Sequence, residues 1–268
     1  MTGTDFFTAR YGPWALVAGA GEGLGAAWAR ALSARGLSLV LVDRRPELLG
    51  PLLEEFGPGA QGLICDLGRS DQLDRLLAVA GEREVGLLVV NAAASPLGSF
   101  LARTPAELEE VVAVNCRAPA LLAHAFGREM AGRGRGGLVL TSSLAGLAGN
   151  TRLALYAASK AYALVLAEGL GRELGPAGVD VLCLLPGATA TPGFRAQQAG
   201  ADRRGGPRPM APEAVVAEAL AALGRRRLCV PGRTNRLAAF ALQRLLPRRL
   251  AAALMSRVTE RTVGCPRR

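Results

Sequence analysis

With 268 residues, half of them apolar and a fifth charged, the chain is long enough to bury one large core and too hydrophobic for wholesale disorder. It holds no run of about eighteen uncharged apolar residues suited to a bilayer, and Met1 to Arg10 lacks the basic-then-apolar order of a secretory signal, so a cytoplasmic location is expected. The net charge of +10 belongs to one end: from Gly224 onward twelve arginines face one acid, Glu260, leaving the preceding 223 residues at −1. Cys65, Cys116, Cys183, Cys229 and Cys265 are scattered without CxxC spacing, and His124 has no ligand partner nearby, so buried thiols and no metal site are expected.

Trp14 to Ala18 is an apolar run that reads as a first buried strand. A glycine-rich turn follows, then helical spacing at Leu24, Trp28, Ala31 and Leu32, closed by Gly36. Further strands are expected at Leu37 to Val42, Leu63 to Cys65, Leu87 to Val90, Leu138 to Thr141, Val179 to Leu185 and, shortest, Leu228 to Val230. Between them lie a helix at Leu73, Leu76, Leu77 and Ala80, closed by Gly81, a long helical run from Ala106 to Met130, and a helical segment opening near Tyr156. The Pro- and Gly-rich stretch Ala190 to Pro212 reads as a mobile loop, after which Pro212 and Glu213 suit a new helix N-terminus. Strands alternating with helices predict one α/β domain, a doubly wound parallel sheet of about seven strands over residues 1–232, followed by a basic, partly helical extension over 233–268.

The turn Gly19-Ala-Gly-Glu22-Gly23-Leu24-Gly25 joins the first strand to the first helix, where glycines let backbone approach a pyrophosphate and the helix N-terminus favours an anion. Asp43, eighteen residues after Gly25, stands where a carboxylate accepts from both ribose hydroxyls of an adenosine, although a helix cap or surface acid is the alternative reading. Glu22 and Asp43 repel a 2′-phosphate, which favours NAD, while Arg44 and Arg45 keep NADP open.

Tyr156 and Lys160 are four residues apart at the start of a helix and share one face. A nearby ammonium favours phenolate and makes a tyrosine a usable acid/base, although such pairs also occur on exposed helices. Taken together, Gly19-x-x-x-Gly23-x-Gly25, Asp66, Asn91-Ala-Ala, Asn115, Ser143, Tyr156-x-x-x-Lys160 and Pro186-Gly187 resemble the short-chain dehydrogenase/reductase family across about residues 12–231. Ser143 precedes Tyr156 by thirteen residues, the family's usual interval, which selects it over Ser142.

The resemblance implies a Rossmann-type fold and an NAD(P)-dependent oxidoreductase. Tyr156 exchanges a proton with the substrate oxygen, Ser143 holds that oxygen, Lys160 binds the nicotinamide ribose and biases Tyr156 toward phenolate, and Asn115 positions a water of a proton relay. It also implies adenine contacts for Asp66 and Leu67, adenosine contacts for Asn91, Ala92 and Ala93, and nicotinamide-side contacts for Pro186, Gly187, Thr189 and Thr191. The sequence departs from the pattern at Ala18, often threonine, at Val90 and Ala93, the outer positions of Asn-Asn-Ala-Gly, and at Thr189, commonly Val or Ile, which bears on rigidity and cofactor affinity.

Leu144, Leu147, Leu153, Leu155 and Phe194 are expected to make the substrate pocket apolar, suited to a hydrophobic secondary alcohol or ketone. Ordinary docking onto the body is the plain reading of the mixed apolar and arginine segment Leu237 to Met255; the alternatives are an anionic membrane surface, a second subunit of a homodimer or homotetramer, or a cap on the pocket. Nucleic acid is disfavoured by the scarcity of aromatic residues in the tail. Competing functions are a catalytically silent cofactor-binding scaffold and a membrane-peripheral interaction protein.

Overall fold

A computed structural model describes residues 3–197 and 208–262; the middle of the Pro- and Gly-rich loop, residues 198–207, and Cys265 lie outside the described residues. The strands are β1 (Trp14–Ala18), β2 (Ser38–Asp43), β3 (Ala60–Ile64), β4 (Val85–Val90), β5 (Gly136–Thr141), β6 (Val179–Leu184) and β7 (Leu228–Cys229). They form one seven-stranded sheet in the order β3-β2-β1-β4-β5-β6-β7, parallel at every pairing. The helices are α1 (Gly3–Tyr11), α2 (Gly23–Ser33), α3 (Pro46–Phe56), α4 (Ser70–Gly81), α5 (Pro105–Val112), α6 (Ala118–Gly132), α7 (Ala154–Glu173), α8 (Pro192–Gln197), α9 (Pro212–Ala222), α10 (Arg233–Phe240) and α11 (Arg248–Thr262).

Central strands β4 and β5 are buried at every position because both faces are covered. In β1, Ala15 and Val17 enter one core with Trp28 and Leu39, while Leu16 and Ala18 enter the opposite core with Val40 and Phe126. The order of strands reverses between β1 and β4, which opens a crevice at their carboxyl ends. At the opposite end, the Tyr11 hydroxyl and Arg10 guanidinium donate to Asp180 at 2.7 and 2.9 Å and tie α1 to β6.

The structure shifts some expected elements. Leu37 donates to the Leu32 carbonyl in the turn after α2, so β2 starts at Ser38 and ends at Asp43. The third strand starts at Ala60, which pairs with Leu39 of β2, earlier than the expected Leu63 because Gln61 and Gly62 of this edge strand do not show the apolar pattern. The long helical run breaks at a π turn over Ala113–Arg117, and the expected loop contains the short helix α8. Cys65, Cys183 and Cys229 are buried, Cys116 is half-buried, and His124 is exposed on α6.

Of the readings of the tail, docking onto the body is what the structure shows. Leu242 and Ala251 are buried against Ala148, and Thr151 N donates to Ser256 Oγ at 3.1 Å. Among the described residues no helix is long and apolar enough to cross a membrane.

The crevice depends on a close approach of α2 to its preceding turn. A Cβ at Gly25 would overlap the Gly19 carbonyl, a backbone atom with little room to yield. Gly25→Ala is expected to destabilise the fold by about 1–3 kcal/mol, as overpacking does, and to weaken dinucleotide binding. Thermal unfolding and binding titration check this, and a variant matching the parent in both contradicts the packing.

Candidate active site

The crevice holds a cleft of about 390 Å³ whose lining includes Gly19, Glu22, Gly23, Leu24, Asp43, Arg44, Asp66, Leu67, Asn91, Ala92, Ala93 and Thr191. Gly19 and Gly23 adopt φ of +81° and +58°, and Cβ atoms there would meet Ala92 and Thr191 at 2.7 Å. Glu22, the N-cap of α2, makes no side-chain capping bond, so its side chain does not occupy the N–H groups of the first turn. Asn91 Nδ2 donates to the Gly19 carbonyl at 3.1 Å and fixes β4 to the turn. This glycine cradle at a helix N-terminus fits a dinucleotide pyrophosphate. Gly25 lines neither the cleft nor the adjoining cavity; its role is the packing described above.

Asp43 is buried, with a carboxylate accepting from Gly21 N at 2.9 Å and Arg45 N at 3.1 Å. The Arg45 guanidinium lies 3.1 Å from Glu22 and 3.4 Å from Asp43, and Arg44 pairs with Glu110 at 2.8 Å. Asp66 accepts from Gly68 N at 2.9 Å and so shapes the turn after β3.

Leu24, Asn91, Ala93 and Thr191 also line a second cavity of about 550 Å³, so the two spaces share a wall. Ser143, Tyr156, Lys160, Pro186, Gly187 and Thr189 line this second space. Lys160 Nζ donates to the Thr141 carbonyl at the end of β5 at 2.9 Å and lies 5.6 Å from the Tyr156 ring centroid. Ser142 Oγ donates to the Lys160 carbonyl at 2.6 Å, a second bond from β5 to α7. Ser143 Oγ accepts from Ala145 N at 3.2 Å, and its hydrogen bond with Tyr156 favours the phenolate.

Burial outweighs that effect and raises the Tyr156 pKa above its ordinary value. The expected bias from Lys160 toward phenolate is therefore not the dominant influence in the cofactor-free protein. Burial also pushes Lys160 down to about 8, with weaker opposing electrostatic contributions from the neighbouring Cys183 and Cys116.

Asn115 sits in the π turn, buried behind the cavity wall. Its Oδ1 accepts from Ala94 N at 2.7 Å, and its Nδ2 donates to the Ala94 carbonyl at 2.8 Å and to Ser159 Oγ at 2.9 Å. Ser159 in turn donates to the Tyr156 carbonyl at 2.8 Å. The side-chain amide thus braces the start of α7 and the loop after β4.

Leu144, Leu153 and Phe194 line the cavity as expected, but Leu147 packs into the core and Leu155 lies outside the lining. The sequence alone did not identify Thr141, Asn150, Asn235 or Thr259, all of which line it, whereas Leu242, Leu254 and Met255 do so from within the segment that was offered as a cap. The apolar and polar alternation of the tail was the available signal for its contribution.

The lowered Lys160 value has a consequence for stability. Its ordinary value is 10.5, so between about pH 8 and 10.5 the folded chain binds fewer protons at this group than the unfolded chain. The charge therefore destabilises the fold fully below about pH 8, on the order of 3 kcal/mol, and the penalty fades as pH rises to 10.5. Lys160→Met should show its largest stability relative to the parent near about pH 7, with the difference shifting toward the parent by about pH 10. Denaturant unfolding across that range checks this, and a pH-independent difference contradicts it.

Comparison with known proteins agrees with this geometry. Residues 13–202 match the family model described as short chain dehydrogenase. A 7β-hydroxysteroid dehydrogenase from Clostridium sardiniense is 32% identical over 234 residues, covering 86% of this chain and 89% of that protein. A solved 7β-hydroxysteroid dehydrogenase superposes with a TM-score of 0.84 at 26% identity, covering 93% of this chain and 98% of the other. A short-chain dehydrogenase from Sphingobium yanoikuyae, solved with NADPH, gives 0.75 at 31% identity, covering 85% and 91%. The chain belongs to the short-chain dehydrogenase/reductase family.

Proposed function

We propose that this NAD(P)-dependent oxidoreductase interconverts a hydrophobic secondary alcohol and a ketone, with Tyr156 as general acid/base and NAD(H) as the favoured cofactor. One observation carries the reading: Ser143, Tyr156 and Lys160 converge on a largely aliphatic cavity that shares a wall with the dinucleotide cleft. The hydroxysteroid activity in the name of the Clostridium relative supports a polycyclic substrate.

In the direction of reduction, the raised Tyr156 pKa keeps the phenol protonated and ready to donate to a carbonyl oxygen. Ser143 holds that oxygen through its hydroxyl hydrogen, since Ala145 N occupies an acceptor site of the same oxygen. Lys160, fixed by Thr141, binds the nicotinamide ribose and supplies positive charge when Tyr156 must lose its proton for oxidation. Asn115 acts as a positioning residue for Tyr156 through Ser159. When bound, the dinucleotide supplies or accepts the hydride. Pro186, Gly187 and Thr189, in the second cavity, would border the nicotinamide, and Asp66, in the cleft, would border the adenine.

Cofactor preference follows from charge. Asp43 and Glu22 face the expected ribose position, and both nearby arginines already have carboxylate partners, which supports the unphosphorylated ribose. A silent scaffold has no need for three convergent catalytic groups. The exposed apolar residues Val112, Leu121, Tyr162 and Val165 on α5–α7 support a homodimer through this face. A chain that sediments as a monomer at micromolar concentration contradicts that pairing.

Turnover of polycyclic ketones and alcohols, followed by nicotinamide absorbance with both cofactors, tests the main reading. Tyr156→Phe should lower kcat at least about 100-fold while dinucleotide affinity stays within a few fold, and NADH should give the higher kcat/KM. Unchanged turnover in the variant removes the assigned acid/base, and a clear NADPH preference overturns the cofactor assignment.

A further inference from the structure

The tail docks by one face and leaves another uncovered. Asn150 Nδ2 donates to Thr259 Oγ1 at 2.7 Å and Thr151 N to Ser256 Oγ at 3.1 Å, which fixes the rotation of α11 against the loop before α7. Ala239, Leu242 and Ala251 are buried on the docked side. On the outer side stand Leu237, Phe240, Leu245, Leu250 and Leu254, each between 46% and 70% exposed. Leu237 and Phe240 are three residues apart on α10, and Leu250 and Leu254 four apart on α11, so each pair shares one face of its helix. Leu245 closes the π turn after α10. Single exposed leucines are ordinary, but this many large apolar side chains in one short segment mark a contact surface.

Charge accompanies this face. Arg244, Arg248, Arg249 and Arg257 are exposed, and among the described residues none of the four has a carboxylate within ion-pair distance. Arg236, by contrast, pairs with Glu218 at 2.8 Å. Arg244 directly precedes Leu245, and Arg248 and Arg249 directly precede Leu250, so cations are interleaved with the exposed leucines. That order suits the boundary of an anionic bilayer, where apolar side chains enter the acyl region and guanidinium groups meet phosphates. Like charge counts against a second copy as the occupant, since a symmetric contact would set the same arginines against one another. A nucleic acid would meet the arginines and leave the leucines in water.

The same face borders the substrate cavity. Ala238 and Leu254 are exposed and also line that cavity, so both helices contribute to its rim. We propose that the outer face of α10 and α11 docks on an anionic lipid surface, with the mouth of the substrate cavity held against the lipid. Such binding needs no turnover, so its failure and the failure of the oxidoreductase reading are separate results.

Co-sedimentation with vesicles of equal parts phosphatidylcholine and phosphatidylglycerol, set against vesicles of phosphatidylcholine alone, provides the test. The parent should partition at least about tenfold more strongly onto the anionic vesicles, with the difference shrinking as salt rises. The triple variant Arg244→Gln, Arg248→Gln and Arg249→Gln should weaken that partitioning by at least about tenfold, since each cation near such a surface contributes roughly fivefold. Leu237→Ser with Leu245→Ser should weaken it as well. None of these side chains lines the cavity, so the variants should keep the parent's melting temperature and dinucleotide affinity. In Phe240→Trp, emission should be quenched by lipids brominated on their acyl chains; Trp14 opens β1 and Trp28 is buried, so neither reports on this face.

Equal partitioning onto the two vesicle types, undiminished partitioning in the folded variants, or unquenched emission from Phe240→Trp overturns the docking surface. Without vesicle binding, an assembly in solution that the leucine substitutions dissolve, or retention on duplex DNA, assigns the face to another occupant and likewise overturns it. Anionic-vesicle binding that the variants abolish upholds it even if no ketone is turned over.

Discussion

A buried lysine at the end of a strand organises the site. Lys160 Nζ donates to the Thr141 carbonyl at the carboxyl end of β5, which holds the second turn of α7 against the sheet. Ser142, the next residue along, returns a bond to the Lys160 carbonyl. These bonds place Tyr156, one helical turn earlier, beside Ser143. Asn115 and Ser159 brace the same turn from the opposite side, where the π turn projects the amide between the loop after β4 and α7.

Burial that gives this geometry also sets its electrostatics. It raises Tyr156 and lowers Lys160, so both groups lean toward their neutral forms before the dinucleotide binds. The site is therefore prepared as a proton donor first, with the Ser143 hydrogen bond favouring phenolate against the larger effect of burial. A ligand bringing negative phosphates into the adjoining cleft would favour the lysine cation, and a charged Lys160 would then help to deprotonate Tyr156.

The parallel core was legible because β1, β4 and β5 carry continuous apolar runs punctuated by glycine turns, a pattern that needs no tertiary knowledge. The Tyr156 and Lys160 pair was legible from helical spacing, and Ser143 from its interval to them. Edge strand β3 was less legible because Gln61 and Gly62 interrupt its apolar run. Asn150 and Thr259 could not be paired beforehand: they are 109 residues apart, and their meeting depends on how α11 docks. Leu147 and Leu155 show the same limit, since an apolar residue near a pocket enters the core or the lining according to the angle of its element. Asp43 was legible as a charge in the crevice, but its bonds to Gly21 and Arg45 depend on the folded path of the turn.

Lys160 is the only lysine in the chain, so labelling lysine with ¹³C at Cε yields a single side-chain resonance. Its NMR titration in the cofactor-free protein tests the buried-ammonium account directly. The predicted midpoint is about 8, well below the ordinary lysine value, with recovery of ordinary behaviour on unfolding. A midpoint near 10.5 in the folded protein would contradict the account by placing the amine in a solvent-like environment.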